Sequence, residues 1–212
     1  MTTIVKKVKL LPWSNPYSTK GLSAMWDGIW NSGSDTHLMN STICIDVISG
    51  RHLPVQPKND DAFIVPDSTT FKDIDLSGDM TVEWVLDTTE EFIHDLFFAY
   101  GNGICYQASG VRAGYLNYQL RYWGGSEYIS VYPLSKSVCA AAVRFSKGCF
   151  SVFGNGKHKH SYYNAVAASE VDRVVIGRHS AIRSIRFYNR ALSDHEIMKN
   201  HTLDRHRFNL LE

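Results

Sequence analysis

Several groups of residues in this chain are of types that can do chemistry. The first is a stripe. In "YLNYQLRYW" (115–123), Tyr115, Asn117, Gln119, Arg121 and Trp123 alternate with Leu116, Tyr118, Leu120 and Tyr122. In "YISVYP" (128–133), Tyr128, Ser130 and Tyr132 alternate with Ile129 and Val131. If the aliphatic positions face a core, the opposite side gathers Tyr, Trp, Arg, Gln and Asn. Sugars stack C–H faces on aromatic rings and hydrogen-bond amides and guanidinium groups, so the stripe suits a glycan. It equally suits a protein interface, where Tyr, Trp and Arg are enriched. A third reading has it covered by the N-terminal segment or by the long 21–40 loop.

The second group is rich in oxygen: Asp35 in "GSDTH" (33–37), and Asn59, Asp60 and Asp61 in "KNDDAF" (58–63). Calcium takes six to eight such oxygens from several loops. The third is "HKH" (158–160), which reads with His158 and His160 on one side of a strand, as a metal pair or as a solvated hairpin end. Glycoside hydrolysis needs two carboxylates flanking the scissile bond. "DIDLSGD" (73–79) sets its carboxylates beside turn residues, and "VEWVLD" (82–87) reads as one Glu and one Asp on opposite faces. Neither makes such a pair, and nothing marks a nucleophile elbow.

The elements that must position these residues are strands. "STICIDVIS" (41–49), "DAFIVPD" (61–67), "MTVEWVLD" (80–87), "DLFFAYG" (95–101), "AAAVRF" (140–145), "CFSVFGNGK" (149–157), "RVVIG" (173–177) and "IRSIRFYN" (182–189) are β-branched, aromatic or alternating, with turn residues between them. "GGSE" (124–127) predicts a hairpin turn between the two stripe segments, and Asn155-Gly156 another. This spacing predicts an all-β, two-sheet antiparallel sandwich. Ser193, with Glu196 three residues on, predicts a capping box, with Leu192 and Ile197 as a hydrophobic staple. A short C-terminal helix then runs to about His206, with Ile197, Leu203 and His201 toward the core, and Phe208 and Leu210 pack the chain end onto the sandwich. "LPWSNPYSTKG" (11–21) reads as a loop or linker, which gives an N-terminal attachment segment at 1–20 and a sandwich domain at 21–212.

Composition narrows the function classes. With 212 residues, 44% of them hydrophobic and 20% charged, the chain has material for a core. A net charge of +1 gives no global field for nucleic acid or anionic membranes. No window approaches a membrane span, and "MTTIVKKVKLLPW" lacks the apolar run of a signal peptide. The four cysteines include no CxxC pair, which argues against zinc and for free thiols in a protein that folds in a cytosol.

The residues also match a known family. "IRSIRFYNRALSDHEIMKNHTLDRHRFNL" (182–210) resembles the strand-and-helix ending of laminin-G-like, concanavalin A-like jelly-roll domains, and its "RF" tail looks most like those of bacteriophage and prophage virion structural proteins. "GLSAMWDGIWNSGSDTHLMNSTICIDVISGRHLP" (21–54) looks like the family's opening strand and loop. There Asp46, Ser49 and Gly50 match a W-x-D-x-S-G strand whose Trp is replaced by Ile43 or Ile45. "MTVEWVL", "FSVFGNGK" and "VVIGR" resemble later strands, and "NDDAF" takes the place of a turn whose residues serve the fold.

The resemblance covers roughly residues 21–210 and implies a jelly roll with a short C-terminal helix. Its hydrolase branch uses E-x-D-x-x-E, which this chain lacks, so a non-enzyme is expected. Calcium is a common ligand of such domains. The resemblance implies a structural or adhesion module of a phage or prophage particle: a head-decoration, head-fibre or tail-associated protein, assembled in the bacterial host cytoplasm. Other virion proteins would be its partners through the N-terminal segment, and host-surface or mucin glycans through the sandwich. A second copy is a further partner; nucleic acid and membrane are not. The alternatives are a free-standing carbohydrate-binding lectin-like module and, third, a glycan hydrolase.

Overall fold

The computed structural model describes residues 16–29, 43–59, 62–87, 97–101, 104–112, 115–122, 125–133, 138–163, 173–177 and 181–210. In chain order its strands are β1 (Leu22–Asp27), β2 (Ile43–Ile45), β3 (His52–Pro54), β4 (Gln56–Asn59), β5 (Ala62–Ile64), β6 (Thr69–Phe71), β7 (Met80–Asp87), β8 (Phe97–Gly101), β9 (Ile104–Arg112), β10 (Tyr115–Tyr122), β11 (Gly125–Pro133), β12 (Val138–Ser146), β13 (Cys149–Gly154), β14 (Lys157–Tyr163), β15 (Arg173–Ile176) and β16 (Ala181–Tyr188); helix α1 spans Asp194–Phe208. One sheet has eight strands, in the order β14-β13-β12-β7-β16-β5-β4, with β1 also on β16. A second has six, β11-β10-β9-β8-β15-β6, and β2-β3 form a small ribbon. Every pairing is antiparallel.

Strand β7 explains the layering. A strand sends alternate side chains to opposite faces. Met80, Val82, Trp84 and Leu86 enter the core between the sheets, with Trp26, Phe63, Phe145, Phe150, Ile185 and Phe187 from the same sheet and Phe71, Val174 and Ile176 from the other. The other four would face water in a bare sandwich, yet all eight residues of β7 are buried. Helix α1 and its tail cover them. Val85 packs with Phe208 and Leu210, Glu83 accepts a hydrogen bond from Asn200, and Thr81 accepts one from the Leu192 amide. The chain therefore has a third layer over the middle of the larger sheet.

Local chemistry sets the boundaries of the elements. Ser193 caps α1 by accepting from the Glu196 amide, while the Glu196 carboxylate accepts from the Ser193 amide. Leu192 and Ile197 share a cluster, as a staple requires. The helix runs two residues past the expected end, to Phe208, and stops where Asn209 takes the left-handed conformation at φ +51°. Phe208 and Leu210 are buried, and His201 and Leu203 half-buried. The expected strand at 41–49 is cut short at Ile45. Asp46 instead organises a turn, accepting from the Met25 and Ile48 amides at 2.8 and 2.9 Å, from the Ser49 hydroxyl, and from Arg51 Nη1 at 2.7 Å. Gly50, at φ +79°, closes that turn. The Asp-Ser-Gly motif thus serves the fold.

Tyr17 and Ser18 fall inside the expected attachment segment, yet both are buried. The Tyr17 hydroxyl donates to Asp204 at 2.6 Å, and the Ser18 amide donates to Asn200 at 3.0 Å, so this stretch is held under α1. Residues 1–15 lie outside the described residues.

Candidate functional site

The two stripe segments form a hairpin. Tyr122 pairs with Gly125, so two residues connect the strands rather than the four of "GGSE". Trp123 lies in that connection, outside the described residues. Across the sheet, Gln119 sits in register between Gln107 and Tyr128, Asn117 between Ser109 and Ser130, and Arg121 between Cys105 and Ser126. The row of Gln119 and Tyr128 continues through Phe98 and Val175 to Thr70, which is exposed. The row of Arg121 continues through Tyr100 to Arg173, also exposed. The alternate rows, those of Tyr118 and Leu120, run through Ile176 to Thr69 and through Val174 to Phe71, and Ile176, Val174 and Phe71 are in the inter-sheet core. Asn117, Gln119, Arg121 and Tyr128 therefore occupy non-core rows of the six-stranded sheet.

A bulge breaks the pattern at one end. Both neighbours of β10 carry an extra residue at the Leu116/Asn117 step, Gly110 on β9 and Val131 on β11. Tyr132 consequently stands opposite Leu116 rather than in the Asn117 set, and Tyr115 pairs with Arg112 and Pro133 beyond the bulge.

The oxygen-rich loops are placed only in part. Asn59 ends β4 opposite Ala62, while Asp35, Asp60 and Asp61 lie outside the described residues. Among the described residues no group of three or more His, Cys, Asp or Glu side chains could hold a metal ion. The expectation that His158 and His160 share a side fails. His160 pairs with Val152 but His158 with Phe153, so Lys159 is the extra residue of a bulge. His158 meets the Phe153 ring on the helix side, while His160 meets Tyr162, which packs on the inter-sheet core.

The carboxylates of β7 also need correcting. Glu83 and Asp87 are four residues apart, an even spacing, so they share the helix-covered face rather than opposing each other. Neither is open to solvent. Asp87 pairs with Arg183 at 3.4 Å and Lys58 at 3.9 Å. Glu83 accepts from Arg186 Nε at 3.1 Å and from Asn200 Nδ2 at 2.8 Å. Arg186, 1% exposed, also gives its two Nη atoms to Asp204 at 2.8 and 2.6 Å and lies over the Tyr17 ring, 4.2 Å from its centroid. Arg207 gives both Nη atoms to Asp27, at 2.8 Å each, and one of them to the Tyr17 hydroxyl. Burial outweighs the Arg186 and Asn200 contacts and pushes the Glu83 carboxyl up to about 7. Burial likewise raises the Tyr17 hydroxyl and lowers His201, on the same helix.

This buried cluster went unread in the sequence. The signal was present in "EIMKNHTLDRHRF", where Ile197, Asn200, Asp204, Arg207 and Phe208 fall at helical spacing on one face. Polar residues at core spacing imply buried partners.

The arrangement is an all-β, two-sheet antiparallel jelly-roll sandwich of concanavalin A-like fold with a covering C-terminal helix. No protein-family model matches the chain, and no curated protein matches it. Among solved structures it is similar to the CBM40 of the Ruminococcus gnavus IT-sialidase bound to α2,3-sialyllactose, with 15% identity over 66% of this chain and 96% of that one and a TM-score of 0.53. It is also similar to the botulinum neurotoxin serotype D ligand-binding domain in complex with N-acetylneuraminic acid (13% identity, 86% of this chain, 50% of that one, TM-score 0.59). A third similar structure is the Trypanosoma rangeli sialidase (12% identity, 90% of this chain, 34% of that one, TM-score 0.61). The chain thus spans about half of the toxin domain and a third of that sialidase. At these identities the likeness establishes the fold alone.

Proposed function

We propose that this chain is a non-catalytic, glycan-binding sandwich, borne on a phage or prophage particle. One observation carries the binding role: Asn117, Gln119, Arg121 and Tyr128 stand in adjacent non-core rows of the six-stranded sheet, in register with exposed Thr70 and Arg173. Amides, a guanidinium and a phenol on one face are the groups that hold sugar hydroxyls and carboxylates. The neighbours bound to sialyllactose and N-acetylneuraminic acid support an acidic sugar as the ligand, with Arg121 as the group for its carboxylate. The non-catalytic reading is supported by the two β7 carboxyl groups, Glu83 and Asp87, which are buried against Arg186 and Arg183 rather than open to a substrate. The virion setting, with assembly in the bacterial cytoplasm and docking through the N-terminal segment, rests on the likeness of the 182–210 ending to virion proteins.

The test is a glycan array that includes sialyllactose, run with calcium and with chelator. Arg121→Ala and Trp123→Ala should each lower affinity at least tenfold and leave the melting temperature within about 1–2 °C, as surface substitutions do. Loss of binding in chelator would assign calcium to the Asp35 and Asn59–Asp61 loops. A blank array from folded protein would overturn the glycan reading and make the same rows a protein interface. A fall of many degrees for Trp123→Ala would place that residue in the core.

A further inference from the structure

Four buried charged side chains and the half-buried Arg207 pack into one cluster between the larger sheet and α1: Asp27 on β1, Glu83 on β7, Arg186 on β16, and Asp204 and Arg207 on α1. Three are carboxylates and two are guanidiniums. With every group in its ordinary ionisation state, the cluster carries one negative charge too many. An uncompensated buried charge is costly, and such a site relieves the cost by taking up a proton.

The hydrogen bonds single out the acceptor. Arg186 gives its Nη pair to Asp204, and Arg207 gives its Nη pair to Asp27. Asp204 also accepts from the Tyr17 hydroxyl, and Asp27 from the Ile29 amide. Glu83 receives one guanidinium nitrogen, Arg186 Nε, and Asn200 Nδ2, both on Oε2, and shares a hydrogen bond with the neutral Tyr188 hydroxyl. Among the described residues, the other groups facing it do not supply the missing cation. Tyr188 on β16 and Tyr17 are phenols that burial keeps neutral. His201 on α1 lines the same cleft, and burial lowers its pKa. Strand β12 lines it with Ala140, Ala141 and Ala142, and the next cation along, Arg144, is engaged with Asp194 at 2.6 Å. The β13–β14 turn approaches through Gly156, and Lys157 after it is exposed. Along β7, Asp87 keeps Arg183 and Lys58.

We propose that Glu83 holds the odd proton as a neutral carboxylic acid in the folded chain, and that its loss loosens the clasp through which Tyr17, Ser18, Asn200 and Asp204 fasten residues 16–18 and α1 to the sheet. When the clasp opens, the proton passes to water. The sign follows from the carboxyl being raised, to about 7. An opened Glu83 gives up its proton above its ordinary value of about 4.5, whereas the closed one keeps it to about 7. The closed clasp is therefore favoured in acid. Its opening constant grows about tenfold per pH unit between about pH 5 and 7 and levels off above that. An N-terminal stretch that is tight in acid and looser in mild alkali is a switch built into the covering layer.

Two measurements on the full chain test this. The Glu83 side-chain carboxyl carbon, followed by NMR from pH 3 to 9, should titrate near neutrality. Amide exchange of α1 and Ser18, corrected for intrinsic base catalysis, should show the tenfold-per-unit rise, and Glu83→Gln should abolish it while leaving α1 protected. A carboxyl that titrates at or below its ordinary value overturns the proposal, and so does an unchanged pH slope in Glu83→Gln. If that variant does not fold, the titration in the unaltered chain decides alone.

Discussion

Arg186 is the side chain on which the covering layer depends. It sits on a strand flanked by buried residues and is held between the Asp204 carboxylate and the Glu83 carboxyl group. A buried ion pair adds little when compared with a well-packed apolar set, but removing one partner leaves the other's charge stranded. Arg186→Met should therefore cost about 3–5 kcal/mol, read from chemical denaturation. A loss under about 1 kcal/mol would mean that water reaches the carboxylates and screens them. The sequence showed which residues of β7 and β16 lie on opposite faces, because alternation is local. It did not show that the outward face of the larger sheet is covered. That depends on Asn200, Asp204 and Arg207, more than a hundred residues from Glu83, whose polarity reads as solvated until their partners are known.

At the scale of elements, short-range chemistry was the more legible. The Ser193/Glu196 box and the Asn155-Gly156 turn each need only three or four residues, and the capping box and the β13–β14 turn are both present. The far side of Gly156 could not be read. Its φ is +71°, and a Cβ built there would come within 2.9 Å of His201, which is 45 positions away in sequence. Gly50, at φ +79°, has nothing within 4 Å. The pair separates two costs. Gly50→Ala should lose only what the left-handed backbone imposes, about 1–2 kcal/mol, whereas Gly156→Ala should lose a further 1–3 kcal/mol from overpacking against α1. Equal losses in thermal melts would show that His201 swings aside freely. The hairpin register of β10 and β11 was hidden for a related reason. The bulges at Gly110 and Val131 move Tyr132 out of its expected row, and alternation alone cannot place an inserted residue.

For the molecule as a whole, the sandwich was legible because strand after strand carried the same period and the ending carried its own signature. The boundary at residue 20 was drawn from prolines and polar residues, which mark a change of local conformation but not its burial. Tyr17 shows the difference. Removing residues 1–15 should leave the melting temperature within a degree or two, whereas removal through residue 20 strips Tyr17 from Asp204 and Arg207 and should lower it by about 4 °C or more. Similar losses for both truncations would mean that the first fifteen residues also contribute to the fold. The candidate site was legible as an alternation of residue types. Its position on the sheet was not, since it follows from strands β15 and β6, which bring Arg173 and Thr70 into line with Arg121 and Gln119.

The pairing of β1 with β16, together with the Tyr17 contacts, has a mechanical consequence. Leu22 lies beside Tyr188, and the Asn189 amide donates to the Gly21 carbonyl at 2.9 Å, so the two ends of the sandwich meet at one corner. Tension applied between residue 16 and residue 210 would pass from Tyr17 directly into α1 and return along the same short path. The load would bypass the sheets. They would stay intact while the corner yields first, like a seam that gives before the cloth does.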